Sequence, residues 1–294
     1  MLRREPVLLY RCYAKVNLTL EVLGRRDDGY HDVASLVQTI SLSDDLRLEA
    51  AAEVVCRAEG LDTQPEANLV ARAAELLRDT GHVRAGTNLT LRKRIPVAAG
   101  LGGGSSDAAA TLVGLNRLWG TRFGYQTLLD LAARLGSDVP FFLRGGAAVM
   151  RGRGEQLEAV RAVVGQWLTV CVLPHTVPDK TARLYAALEP SDLSDGTPTR
   201  RAAECLNARE SLRDDQLLNA FARSARFVFP GLDSAWQAAE AALGRPVHLS
   251  GAGPALFALA ADRQSARQQA QQLEALGLPS YATQTVRHAR ARAR

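Results

Sequence analysis

The stretch AGLGGGSSDAAA, residues 99–110, places four glycines in five positions and follows them with two serines and an aspartate. Glycine loses the most backbone freedom on folding, so a cluster of this density marks a place where bare backbone is needed. Ser105, Ser106 and Asp107 are all favourable helix N-cap types, and the alanine- and leucine-rich run to Leu118 reads as the helix that follows. A glycine loop entering a helix N-terminus offers unpartnered N–H groups and a partial positive charge, which suits an anion and above all a phosphate. A dinucleotide fingerprint would need glycine where Ser105 stands and an acid about twenty residues later. No acid lies between Asp107 and Asp130. A Walker loop would need Gly-Lys, and no glycine in the chain is followed by lysine. A phosphate loop of another kind remains, beside the plain alternative of a surface turn.

Phosphoryl transfer to a hydroxyl also needs a carboxylate near the acceptor and a cation near the moving group. Asp138, in LGSDVPFF, is the candidate base; the alternative is an aspartate that caps a turn. Lysine occurs only at Lys15, Lys93 and Lys180, so arginine supplies nearly all of the 36 basic side chains. Lys15 is thus a candidate partner for Asp138, against the alternative of a solubilising charge on a strand.

The elements that would position these residues are legible in outline. Val7 to Val22 is rich in strand formers and reads as an opening strand pair, with a turn at RRDDGYH. Extended stretches follow at Val33 to Leu48 and Val54 to Arg57, then a helix over Asn68 to Thr80 ending at Gly81. The strand in NLTLRKRIPVAAG delivers the chain to the glycine loop and its helix. YQTLLDLAARLG reads as a second helix, and residues 137–160 as a turn and hairpin. The chain changes character near residue 160. WLTVCVLP is a strand, residues 188–200 are the most loop-like segment, and helices are predicted around 216–225 and 233–243. PVHLSGAGPALFALA reads as strand, turn, strand; a helix over RQSARQQAQQLEALG and a strand near YATQTVR complete the order. The pattern predicts two α+β domains sharing a cleft.

With 294 residues and 47% hydrophobic composition the chain can bury a large core. Its formal charge of +5 owes four charges to the terminal RHARARAR, leaving +1 elsewhere. Basicity is therefore a property of the tail, a solvated end with a nucleic-acid contact as the alternative. The four cysteines are scattered without C-x-x-C spacing, which argues against a zinc site or a disulfide framework. No apolar run approaches a membrane span, and a cytoplasmic protein is expected. The expected partners are small molecules, with neither nucleic acid nor membrane, on a monomer or homodimer.

Four segments in order, YAKVNLTLEVLGRRDDGYHDV, IPVAAGLGGGSSDAAATL, LGSDVPFFLRGGAAVMRGRGE and LSGAGPALFAL, resemble the GHMP family of small-molecule kinases. The resemblance covers nearly the whole chain. It implies an α+β, two-domain GHMP-kinase fold: an N-terminal α/β ATP-binding domain over 1–160, a C-terminal ferredoxin-like domain over 161–287, and a basic tail over 288–294. It also implies transfer of the ATP γ-phosphate, with Mg²⁺, to a small alcohol carrying a cytidine diphosphate group. An alternative within the family is another alcohol, such as mevalonate or homoserine; an alternative outside it is a nucleotide- or RNA-binding module without catalysis.

Carried over by position, Asp138 is the base, Lys15 its charge partner, and Asn17 orients the substrate. Pro96, Val97, Ala98, Ala99, Gly100, Leu101, Gly102, Gly103, Gly104, Ser105 and Ser106 wrap the triphosphate. Asn68 and Lys93 meet the adenosine. Tyr30 and His31 hold the cytosine, with Tyr185 as the second stacking ring. No metal-ligating residue is assigned. The segment PDKTARLY departs from the family pattern, having Lys180 where relatives often have serine. The turn Ser250 to Gly253 is expected near the phosphate loop.

Overall fold

The structure is a computed structural model that describes residues 7–59, 69–173 and 177–287. Asn68 and the tail over 288–294 lie outside the described residues.

The first sheet is organised around one long strand. Residues Leu8–Asn17 form β1, Thr19–Arg25 β2, His31–Ala51 β3 and Val54–Glu59 β4. The opening strands do not pair with each other. Both align antiparallel to one edge of β3, β1 against residues 37–48 and β2 against residues 31–34. The chain breaks at Leu18 so that each segment finds its own stretch of the longer partner, and RRDDGYH joins β2 to β3. On the other edge of β3 lie β5 (Gly86–Arg92) and β6 (Ala147–Gly152), with β7 (Gln156–Val160) beyond β6.

Helices cover this sheet because their apolar residues recur at helical spacing. In α1 (Leu69–Thr80) the buried positions are Val70, Ala73, Ala74 and Leu77; in α3 (Tyr125–Leu135) they are Leu128, Leu131, Ala132 and Leu135. Between them runs α2 (Gly103–Leu118), with Ser106 to Leu112 entirely inside. Gly114 lets α2 lie flush on the sheet: a Cβ there would come within 2.8 Å of Leu48.

The expected capping roles of Ser105, Ser106 and Asp107 are not what the fold uses. The helix starts two residues earlier, after Gly102 in a left-handed conformation (φ 70°), with no side-chain cap. The serines and the aspartate fall within the first turns, where Asp107 is drawn to a buried lysine instead. Residues 137–160 also differ from a plain turn and hairpin, because α4 (Val139–Arg144) precedes β6. Six residues are too few for a periodic signal, and Pro140 is tolerated in the first turn because no intrahelical N–H bond is needed there.

The second sheet has the order β10-β11-β8-β12, from β8 (Trp167–Val172), β10 (His248–Leu249), β11 (Ala255–Ala260) and β12 (Ser280–Gln284). With α8 (Leu232–Leu243) before β10 and α9 (Arg263–Glu274) before β12, the succession is βαββαβ, the ferredoxin-like arrangement. Between β8 and α8 lie α5 (Lys180–Ala186), α6 (Thr197–Asn207), the two-residue β9 (Leu218–Asn219) and α7 (Ala222–Val228). Here the periodicity misleads. The loop-like 188–200 contains the start of α6, and 216–225 is helical only from Ala222, because Leu218 and Asn219 pair in parallel with Thr19 and Leu20 of β2. That pairing and an apolar cluster holding Val16, Leu36 and Val149 with Val170, Ala202 and Phe257 join the two halves through shared core.

Candidate active site

The segment from Lys93 to Gly102 runs between β5 and α2, and a cavity opens over it. The walls are Leu69, Leu91, Lys93, residues 96–100, Gly102, Gly103, Gly104, Ser105 and Asp107. The glycines are there for closeness. A Cβ on Gly102 would fall 2.7 Å from the Phe142 ring and 3.0 Å from Lys15 Cγ, and one on Gly103 would fall 2.9 Å from Ile95. The loop is tied to both halves of the protein. Lys15 N donates to the Leu101 carbonyl at 2.9 Å, Ala255 N to the Ala99 carbonyl at 3.0 Å, and the Ser250 hydroxyl to the Gly100 carbonyl at 3.2 Å. The Ser250–Gly253 turn therefore packs along one side of the glycine loop.

At Gly102, β1 and α4 meet, and they carry the candidate catalytic pair. Lys15 Nζ lies 3.6 Å from Asp138 Oδ2. The lysine is buried, whereas the Asp138 side chain is 36% exposed, so the carboxylate faces open space while its partner is fixed. Asp138 stands at the N-cap position of α4 but makes no capping hydrogen bond, which leaves its oxygens available. Lys15 also donates to Asn17 Oδ1 at 2.6 Å, and Asn17 Nδ2 donates to the Ser35 hydroxyl at 2.7 Å. Both ends of the amide are engaged, so Asn17 fixes Lys15.

Beneath the loop, Lys93 is held between Asp44 and Asp107, the latter at 2.7 Å. Its ammonium is thus the floor of the cavity and is already committed to two carboxylates. Burial pushes the Asp107 carboxyl up to about 7, against the pull of Lys93. Asp44 further accepts the backbone N–H groups of Arg94 and Ile95, fixing the entry to the loop. Sequence reasoning missed Asp44; the only signal was an acid within an otherwise strand-like run.

A third group of residues gathers at the β2–β3 turn. The His31 and Tyr185 rings are stacked, with centroids 4.3 Å apart and planes 13° from parallel, and Tyr185 meets Phe221 edge-on at 4.9 Å. Burial and the neighbouring Arg25 lower the His31 pKa, favouring the neutral ring with one donor and one acceptor. Tyr30 is not part of this stack: it is exposed, with the Arg153 guanidinium 4.8 Å above its ring.

Comparison with known proteins identifies the family. Models of the GHMP kinases N terminal domain and of the GHMP kinases C terminal match residues 68–146 and 202–277. A 4-diphosphocytidyl-2-C-methyl-D-erythritol kinase from Dehalococcoides mccartyi is 41% identical over 255 residues, spanning 86% of this chain and 89% of the relative. One from Symbiobacterium thermophilum is 38% identical over 286 residues, spanning 94% and 98%. The chain belongs to the 4-diphosphocytidyl-2-C-methyl-D-erythritol kinase family of GHMP kinases. A crystal structure of a 4-(cytidine 5'-diphospho)-2C-methyl-D-erythritol kinase superposes with a TM-score of 0.81 at 36% identity, covering 94% of this chain and 98% of that one. A homoserine kinase from Cytophaga hutchinsonii, at 17% identity and a TM-score of 0.73, shares the fold.

Membership of this family makes the chain an ATP-dependent small-molecule kinase with the two-domain GHMP fold. Among the described residues, no helix is long and apolar enough to cross a membrane. Of the expected site residues, the structure brings Lys15, Asn17 and Asp138 to one end of the glycine loop and joins His31 to Tyr185. Tyr30 stays apart from that stack, and Asn68 lies outside the described residues.

Proposed function

We propose that this chain transfers the γ-phosphate of ATP to the 2-hydroxyl of 4-diphosphocytidyl-2-C-methyl-D-erythritol, a step of non-mevalonate isoprenoid biosynthesis. The observation that carries the reading is the Lys15–Asp138 pair at the end of a glycine loop whose backbone is bare enough for phosphates. Asp138 orients the acceptor hydroxyl and takes its proton. Lys15, held by Asn17, pairs with Asp138 and faces the transferring group. The N–H groups at the start of α2 receive phosphate oxygens. The Ser106 hydroxyl, buried and without a hydrogen-bond partner among the described residues, suits a hard cation carried in by the triphosphate. Mg²⁺ bound there would neutralise charge on the phosphates.

On the acceptor side, His31 and Tyr185 supply a ring face and a donor–acceptor edge for cytosine, and Tyr30 with Arg153 lies at the solvent end. Because the two rings already touch, cytosine must part them to stack between them. Tyr185→Ala is expected to raise KM for the cytidylyl substrate about 10- to 100-fold, the worth of one base–aromatic stack, with KM for ATP unchanged. Tyr185→Phe should restore it. Equal KM values for wild type and Tyr185→Ala would contradict the assignment.

Lys15→Met keeps the buried stem against Gly102 and removes the charge. It is expected to lower kcat about 10²- to 10³-fold, with a Tm close to that of wild type. Steady-state kinetics beside a melting curve checks this, and wild-type kcat in a folded variant would remove Lys15 from the mechanism.

A further inference from the structure

Lys180, which opens α5, is the one lysine of the chain without an ion pair among the described residues, Lys15 and Lys93 being matched with carboxylates. Its ammonium donates instead to two backbone carbonyls, Ala98 O on the phosphate loop and Gly253 O in the β10–β11 turn. Ala98 adopts a left-handed conformation (φ 54°) that alanine disfavours, a strain of the kind held in place at functional sites. Two carbonyls occupy two of the three ammonium protons. A partly buried cation with no counter-ion is costly, and an arriving anion would relieve that cost.

Among the described residues, a second cation faces this ammonium and no carboxylate pairs with it. Lys15 faces it from β1, the loop and the turn present carbonyls, and Asp179 and Arg183 on its own segment are exposed to solvent. Asp138 is paired with Lys15. Two lysines thus converge on one end of the glycine loop, and Asp138 pairs with only one of them, Lys15.

We propose that Lys180 is a second phosphate-binding cation of the ATP site, its ammonium reaching a triphosphate oxygen while bridging the loop and the turn. This rests on the reading of the glycine loop as the triphosphate site. Burial and Lys15 bring the Lys180 pKa down to about 8, so the group titrates in an accessible range. A polyanion favours the charged form, and binding near pH 8 should take up a proton.

The test is calorimetric binding of ATP to the full chain without acceptor alcohol, at pH 7, 8 and 9.5, in buffers of different ionisation enthalpy. Wild type is expected to bind more weakly at pH 9.5 than at pH 7 and to take up a proton at pH 8. Lys180→Gln keeps N–H donors for the carbonyls but has no charge. At pH 7 its Kd should rise about 10- to 100-fold, the worth of a charge-assisted hydrogen bond, and its proton uptake should vanish. Lys180→Arg should stay tight at pH 9.5. Wild-type affinity in Lys180→Gln, or a loss equal at every pH with proton uptake preserved, would make Lys180 a strut between loop and turn and overturn the proposal. Absence of ATP binding by wild type would instead overturn the reading of the loop itself.

Discussion

Asp138→Asn is expected to lower kcat by about 10²- to 10⁴-fold, the usual worth of a positioned base, while Kd for ATP stays near the wild-type value. The separation follows from where the carboxylate sits. Asp138 precedes α4 and touches Lys15, but it does not line the cavity over the phosphate loop. Asparagine keeps its size and loses the ability to accept a proton. The fold should barely notice, since the side chain is partly exposed and caps nothing. Lys15 would keep its bond to Asn17 and lose only its pairing with a carboxylate. Single-turnover measurements separate the chemical step from product release; an unchanged rate there would remove Asp138 as the base.

Gly100→Ala should damage the protein in a different way, disturbing stability and nucleotide binding together. Gly100 sits at φ 85°, and a Cβ there would lie 2.2 Å from the Ser250 carbonyl oxygen and 2.9 Å from Gly253 N. Both are backbone atoms of the turn that flanks the phosphate loop, so nothing flexible can yield. A loss of about 2–4 kcal/mol is expected, lowering Tm by roughly 3–7 °C. As the loop is pushed away from the turn, kcat/KM for ATP should fall about 10²-fold or more, the cost of misplacing a reacting group by about an ångström. Gly165→Ala is the control: its φ is 86° and nothing lies within 4 Å of the added Cβ. It should show the cost of backbone strain alone, about 1 kcal/mol, with normal kinetics. Equal behaviour of the two variants would mean that contact between loop and turn does not shape the site.

The phosphate loop was the most legible part of the chain, because a glycine cluster and an alanine-rich helix are local signals. The same holds for α1 and α3, whose apolar residues repeat at helical spacing. Asp138 was harder to read. An aspartate before a six-residue helix reads equally as a base or as a cap; the missing cap bond and the contact with Lys15 emerge in three dimensions. Asp44 and Asp107 left no local trace of their shared task, since their common partner Lys93 comes from a different segment. The helices α5 and α6 carry no local start signal for a related reason: neither begins with a side-chain cap, and their N-cap residues, Asp179 and Gly196, are both left-handed. The 216–225 segment shows tertiary pairing overriding local preference, since β9 exists only because β2 lies beside it. Conversely Lys180, a departure from the family pattern in sequence, became informative once its two carbonyl partners were in place.

The account stands or falls on which alcohol accepts the phosphate. The most direct measurement is ADP formation with ATP and Mg²⁺, offering 4-diphosphocytidyl-2-C-methyl-D-erythritol, mevalonate, homoserine and galactose side by side. Turnover confined to the first, with the phosphate found on the 2-hydroxyl, is the expected result. Turnover of one of the others in its place, or of none, would contradict it.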